Sequence, residues 1–187
     1  NNISVNEASP YGVFEITGAA NQLTSLALAL GASSPATAGG TDYSAATGSG
    51  LSYSSGGGGT WTAYTSGNVA LSAGGKLLVR TAIINDSLSD NNETFKLVAS
   101  NTAGTASTGG TGTIKDDGTG TIFKNDGTDD TTLVRDDDRA LTINNISVNE
   151  ASPYGVFEIT GAANQLTSLA LALGTSSPAT AGGTDYS

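Results

Sequence analysis

Residues Asn1–Ser44 recur as Asn144–Ser187, offset by 143 positions, with Ala32 against Thr175 as the sole difference. A period of that length holds a whole domain in each copy. The chain therefore reads as beads in a row rather than as a solenoid of small units. One full period and the opening of the next are present. The last 44 residues carry only opening strands, too little to bury a core alone, so something must complete them. They are either a truncated copy or a segment that pairs with strands from a neighbouring chain.

Within the period, apolar residues alternate with polar or small ones: Ile3 and Val5, Phe14 and Ile16, then Leu26, Leu28 and Leu30. That spacing predicts strands with one buried face. Leu51–Ser55 and Thr60–Tyr64 flank Gly56–Gly59, which suits a hairpin loop. Further strands are expected at 68–71, 76–84, 93–100 and 111–115, with Val79, Thr81 and Ile83 facing one way, and Phe95, Leu97 and Ala99 doing the same. No segment has helical periodicity. Seven or more strands punctuated by Gly, Ser, Asn and Asp predict an all-β, immunoglobulin-like antiparallel β-sandwich. Short strands at 121–124 and 131–135 around the turn-rich 125–130 predict a hairpin between copies. The expected organisation is a sandwich over 1–118, an acidic linker hairpin over 119–143, and the start of the next copy over 144–187.

Composition decides which chemistry is open to such a fold. The chain lacks His, Cys and Met, which removes the usual general base, the thiol nucleophile, the disulfide and the common zinc ligands together. Ser and Thr are plentiful but have no base to activate them, so no enzyme activity is expected. With 17 acidic against 7 basic residues, the chain should repel nucleic acid and anionic membranes and attract hard cations. No apolar run approaches the roughly 20 residues of a membrane span, and any targeting signal is expected outside this stretch.

The acidic residues gather at strand ends: Glu7 in VNEAS, Asp86, Asp90 and Glu93 in IINDSLSDNNETF, and Asp116 with Asp117 in GTIKDDG. Loops at one end of a sandwich can bring them together. Carboxylates held close repel, and Ca2+, which takes six to eight oxygens at about 2.3–2.6 Å, resolves the repulsion. Solvated acidic turns are the plain alternative for each of these residues. Asp136, Asp137 and Asp138 close the linker, where they are either charges that extend a hinge or ligands that join neighbouring copies. Asp42 and its counterpart Asp185, in GGTDYS, read as members of a tight turn rather than ligands.

VNE near the start, TAGGTDYS, IIND followed by DNNETF, and TIKDDG at the close together resemble a Calx-β domain over residues 1–118 and, in part, 144–187. The resemblance implies an immunoglobulin-like sandwich that binds calcium in loops at one end. The DDDR-x-L-T-I-N-N junction is similar to those of tandem arrays in very large bacterial surface proteins of the RTX-adhesin kind. Carried over by position, it implies calcium ligands at Glu7, Asp86, Asp90, Glu93, Asp116 and Asp117, and Glu150 in the second copy repeats Glu7. Ser34 stands where the family often has Asp, and Gly118 replaces a third terminal acid. Fewer carboxylates imply fewer or weaker sites.

The functional expectation is a calcium-stiffened extender repeat of an extracellular or cell-surface bacterial adhesin or filament. Its expected partners are neighbouring repeats or identical chains, end to end. Two alternatives stay open: a module that binds a surface or glycan through exposed loops or the Trp61 hairpin, and a fibre subunit completed by strands from other chains. The lone Trp61 is more simply a packing aromatic.

Overall fold

The structure is a computed structural model that describes residues 1–30, 36, 42–43, 50–107 and 109–172. It divides into two compact units, Asn1–Asp138 and Arg139–Ser187. The first unit is all-β. Its strands are β1 (Ile3–Asn6), β2 (Tyr11–Thr17), β3 (Leu23–Leu30), β4 (Leu51–Ser54), β5 (Thr62–Ala63), β6 (Val69–Ala70), β7 (Lys76–Ala82), β8 (Glu93–Asn101) and β9 (Gly110–Lys115). One sheet runs β1-β9-β8-β3-β6 and the other β2-β7-β4-β5. All pairings are antiparallel except β1 with β9, which run parallel.

Alternation sets the faces as the sequence predicts. Val79, Thr81 and Ile83 are buried along and just beyond β7, and Phe95, Leu97 and Ala99 along β8. Both sheets feed one apolar core, in which Phe95 stands edge-on to Phe14 (ring centroids 5.7 Å apart) and stacks on Tyr43 at 4.9 Å. Phe95 lies over Gly112 of the neighbouring strand, where an added Cβ would come within 2.5 Å of the ring. A side chain there would evict the phenyl group from the core.

The stretch after β9 belongs to the first unit. Ile122 is fully buried, Thr121 bridges to Val5, and Phe123 bridges to Asp129. No strand forms at 131–135, because Asp130 turns its carboxylate onto the N–H and hydroxyl of Thr132 at 3.0 and 2.6 Å. Local side-chain acceptors of this kind divert backbone from a ladder. Trp61 is a packing residue here: its indole N–H donates to the Asn125 carbonyl at 2.8 Å, and the Arg80 guanidinium lies between the Trp61 and Tyr11 rings. At Gly58, with φ of +92°, a Cβ would strike the Asp126 backbone, so the β4–β5 loop can close onto this segment only through glycine.

The second unit contains β10 (Thr142–Ile143) paired antiparallel with β11 (Ile159–Thr160). Its large apolar residues, among them Val148, Tyr154, Val156 and Phe157, are exposed. Among the described residues, no helix is long and apolar enough to cross a membrane.

Candidate metal centre

The parallel pairing of β1 and β9 builds the site. Asn6 lies in register with Lys115, so both strands leave the sheet at the same end, and the next residues, Glu7 and Asp116, emerge side by side. Antiparallel neighbours would have sent them to opposite ends. The Glu7 N–H donates to the Lys115 carbonyl at 2.9 Å, which carries the pairing one step past the ladder. The chain then loops through 119–135 and returns. The Gly118 N–H donates to the Asp136 carbonyl at 2.9 Å, and the Asp138 N–H donates to Asp116 Oδ1 at 2.9 Å.

Glu7, Asp116, Asp136 and Asp138 each present one carboxylate oxygen, and these oxygens lie within 4.8 Å of one another. Glu7 and Asp116 are buried, at 4% and 0% exposure. One oxygen of each residue, Glu7 Oε2, Asp116 Oδ2, Asp136 Oδ2 and Asp138 Oδ2, is buried without a hydrogen-bond partner. Buried acceptors are normally satisfied, and four unsatisfied ones in one acidic group are costly. The Lys76–Glu15 and Arg135–Asp129 ion pairs include no member of the group. An all-oxygen, all-anionic donor set of this kind fits a hard cation.

Electrostatics records the strain. Burial pushes the Glu7 carboxyl up to about 8, and the charges of Asp116, Asp86 and Asp90 add to the rise against a backbone hydrogen bond from Asp86. Asp116 and Asp136 are also raised by burial, with Asp138 adding to both.

A second group, Asp42, Asp90 and Glu93, meets the same distance criterion. Asp42 is buried and arrives because Tyr43 bridges to Ile83 and the Ile84 N–H donates to the Asp42 carbonyl at 3.0 Å. The turn reading of Asp42 is thus incomplete, since long-range pairing carries it into the acidic end. Burial, together with a hydrogen bond to and the charge of Asp42, pushes Glu93 up to about 7. Asp86 sits close to the first group, its N–H donating to Glu7 Oε1 at 3.0 Å and its Oδ1 accepting from the Leu88 N–H at 2.7 Å.

Four of the sequence candidates, Asp86, Asp117, Asp137 and Glu150, stand outside both groups. Asp117 is used locally: against the cost of burial, the Thr119 and Asn91 side chains hold its carboxyl below the ordinary range. The Asp137 carboxylate lies against Gly118. Glu150 belongs to the second unit, where it is exposed. Asp185 lies outside the described residues.

Sequence reasoning passed over Asn6. This fully buried side chain donates to the carbonyls of Lys115, Thr119 and Asp136 at 3.2, 2.8 and 3.1 Å. Its Oδ1 accepts from the N–H groups of Ala8 and Asp136 at 3.1 and 2.8 Å. It ties the end of β1, the end of β9 and the returning Asp136 segment into one frame. An Asn beside an acid in a turn looks ordinary in sequence, and no signal there separates it from a surface Asn.

The raised carboxyls set a pH dependence for the metal-free protein. Glu7 and Glu93 hold protons more tightly folded than unfolded, so their contribution to stability is fully present below their ordinary values near 4.5. It is lost as pH climbs through about 7 to 8. Melting temperature in EDTA is expected to fall between about pH 5 and 8.5, the window in which these carboxyls ionise. In saturating calcium the slope should reverse, because the ion competes with those protons. Calorimetry showing a flat or rising profile without metal would count against the buried placement of Glu7.

No family model matches the chain, and neither does any curated protein or solved structure.

Proposed function

We propose that the chain is a Calx-β-like, immunoglobulin-like sandwich repeat that serves as a calcium-stiffened structural extender outside the cell rather than as an enzyme. The observation that supports this reading is the set of four buried, unpartnered carboxylate oxygens on Glu7, Asp116, Asp136 and Asp138. Two of these residues directly follow strands of the sheet, and the other two stand where the chain leaves the first compact unit. A cation held by all four supplies the positive charge that offsets their repulsion. It also fastens the departing segment to the strand ends, so that a hinge becomes a strut.

Calcium is favoured over magnesium because ligands from three separated stretches need the longer, adaptable coordination of the larger ion. Extracellular modules bind calcium at about 10⁻⁴–10⁻³ M, so the repeat is stiff in calcium-rich surroundings and soft in their absence. Asp42, Asp90 and Glu93 offer a second position with three carboxylates.

The test is a calcium titration followed by thermal unfolding and small-angle scattering. At tenfold excess over Kd, one site adds about 1.4 kcal/mol. That corresponds to a rise of roughly 5 °C in the melting temperature of a unit of this size. The scattering profile should lose its hinge-like averaging as the ion binds. If neither quantity responds to calcium or to its removal, the reading fails.

A further inference from the structure

In the array read above, a copy is entered at the position of Asn1, whose counterpart in the second copy is Asn144, and left past Asp138. These points lie at opposite ends of β1. Asn1 and Asn2 precede the strand, and Asn2 Oδ1 accepts from the Thr111 N–H at 2.9 Å. At the far end Asn6 grips the departing segment: its Nδ2 donates to the Asp136 carbonyl at 3.1 Å, and its Oδ1 accepts from the Asp136 N–H at 2.8 Å. Between the two points, extended chain from Asn1 to Asn6 spans roughly 17 Å.

β1 is held on both edges by chain running in its own direction. On one side β9 pairs with it from Ile3–Gly112 to Asn6–Lys115, and the Glu7 N–H adds a bond to the Lys115 carbonyl. On the other side Thr121 bridges Val5 in parallel, its N–H donating to the Ser4 carbonyl and its carbonyl accepting from the Asn6 N–H, both at 2.9 Å. Val5 and the adjoining Ile122 are fully buried. Direction decides how such contacts fail. Parallel strands pulled from opposite ends slide lengthwise, so all the bonds between them are loaded together. Pulled from the same end, they open one bond at a time. An antiparallel β9 would have ended beside the start of β1, and the same pull would unzip the pair.

We propose that the repeat bears tensile load, with β1 as a shear clamp between β9 and Thr121 and with Asn6 as the positioning residue that fastens the departing segment to the clamp. Such a role rests on the extender reading, since a chain of copies is what delivers tension at these two points. The clamp itself needs no ion. Glu7, Asp116, Asp136 and Asp138 stand at its far end, so a cation held there adds its ligand bonds to those that must break at once. Bonds that break together set one high barrier, whereas bonds that break in turn set several low ones, and forced unfolding follows the barrier rather than the equilibrium. Resistance therefore depends on the direction of pull.

Single-molecule pulling on the full chain reads that dependence, and the lack of native Cys lets handles be placed freely. One chain carries Asn1→Cys and Ala140→Cys, which load β1 lengthwise. The other carries Asn1→Cys and Ala103→Cys, the latter in the β8–β9 turn at the same end as the start of β1, so that the pull peels the strand. Ala103 and Ala140 are exposed. In EDTA and at one loading rate, the first chain is expected to unfold at about twice the force of the second or more. Asn6→Ala should lower the lengthwise force and leave the peeling force unchanged, because a peel begins at Ile3 and reaches Asn6 last. Equal forces in the two directions, or an Asn6→Ala change that weakens both alike, overturns the proposal. Calcium tests the extender reading separately: a force that depends on direction in EDTA but does not rise with calcium leaves the clamp standing and sinks that reading.

Discussion

Replacing Asp116 with Asn is expected to raise the melting temperature of the metal-free protein and to remove most of the rise that calcium produces. Asp116 is fully buried, its Oδ1 accepts from the Asp138 N–H, and its Oδ2 has no partner among three neighbouring carboxylates. Asparagine keeps the shape and the acceptor while exchanging a buried charge for a donor that an adjacent carboxylate can accept. Relieving one uncompensated buried polar group is worth about 1–3 kcal/mol. For a unit of this size that is a gain of several degrees, on the order of 3 °C per kcal/mol. The same change withdraws a ligand from the centre of the group, so calcium affinity should fall steeply. The opposite signs with and without calcium distinguish a metal centre from a merely crowded acidic turn, because such a turn would give a gain in both conditions. A variant less stable than wild type in EDTA, yet stabilised normally by calcium, would remove Asp116 from the site.

Asn6→Ala is expected to have the largest effect on stability itself. The side chain makes five hydrogen bonds, all to backbone, and three of them reach carbonyls more than 100 positions away. Truncation leaves the Asp136 N–H and these carbonyls short of partners in a buried setting, at a cost of about 3–5 kcal/mol. The loss should be concentrated where the clamp acts. Amide exchange at Asp136 and Asp138 should quicken before that of β8, and calcium affinity should drop, although no ligand has been touched. The repeat supplies an internal control in Asn149→Ala: Asn149 occupies the same sequence but is exposed, and its Oδ1 accepts from the Ala151 N–H. That change should cost no more than about 0.5 kcal/mol, the usual limit at such surface positions. Equal effects at the two positions would mean that the clamp is not what holds the Asp136 segment.

Much of the first unit is legible without coordinates. Period-two alternation locates β7, β8 and β9 to within a residue or two, because each has one face against a core and one toward solvent. Glu7, Asp90, Glu93 and Asp116 are legible as an acidic set because strand ends are where charge is tolerated. How they divide is not. The parallel β1–β9 pair joins Glu7 to Asp116, and the Tyr43–Ile83 bridge brings Asp42 to Glu93. Neither contact has a local signature, since the partners are separated by tens of residues or more. The segment 119–138 reads as a linker by its turns and charges. Its attachment to the sheets through Ile122, Asn125 and Asp136 depends on shape that emerges only once β1 and β7 are in place.

The two copies separate what sequence settles from what tertiary structure settles. Sequence by itself determined the turns: the Asn6 and Asn149 carbonyl oxygens, the Ser9 and Ser152 hydroxyls and the left-handed Asn21 and Asn164 take the same conformation whether or not anything packs over them. These are contacts between residues two to four apart, whose closure costs little chain entropy. Only the tertiary structure decided that Val5 is inside and that Glu7 stands beside Asp116. Burial and a shared ion require strands from distant parts of a chain to meet, and a segment's own residues cannot supply that surface.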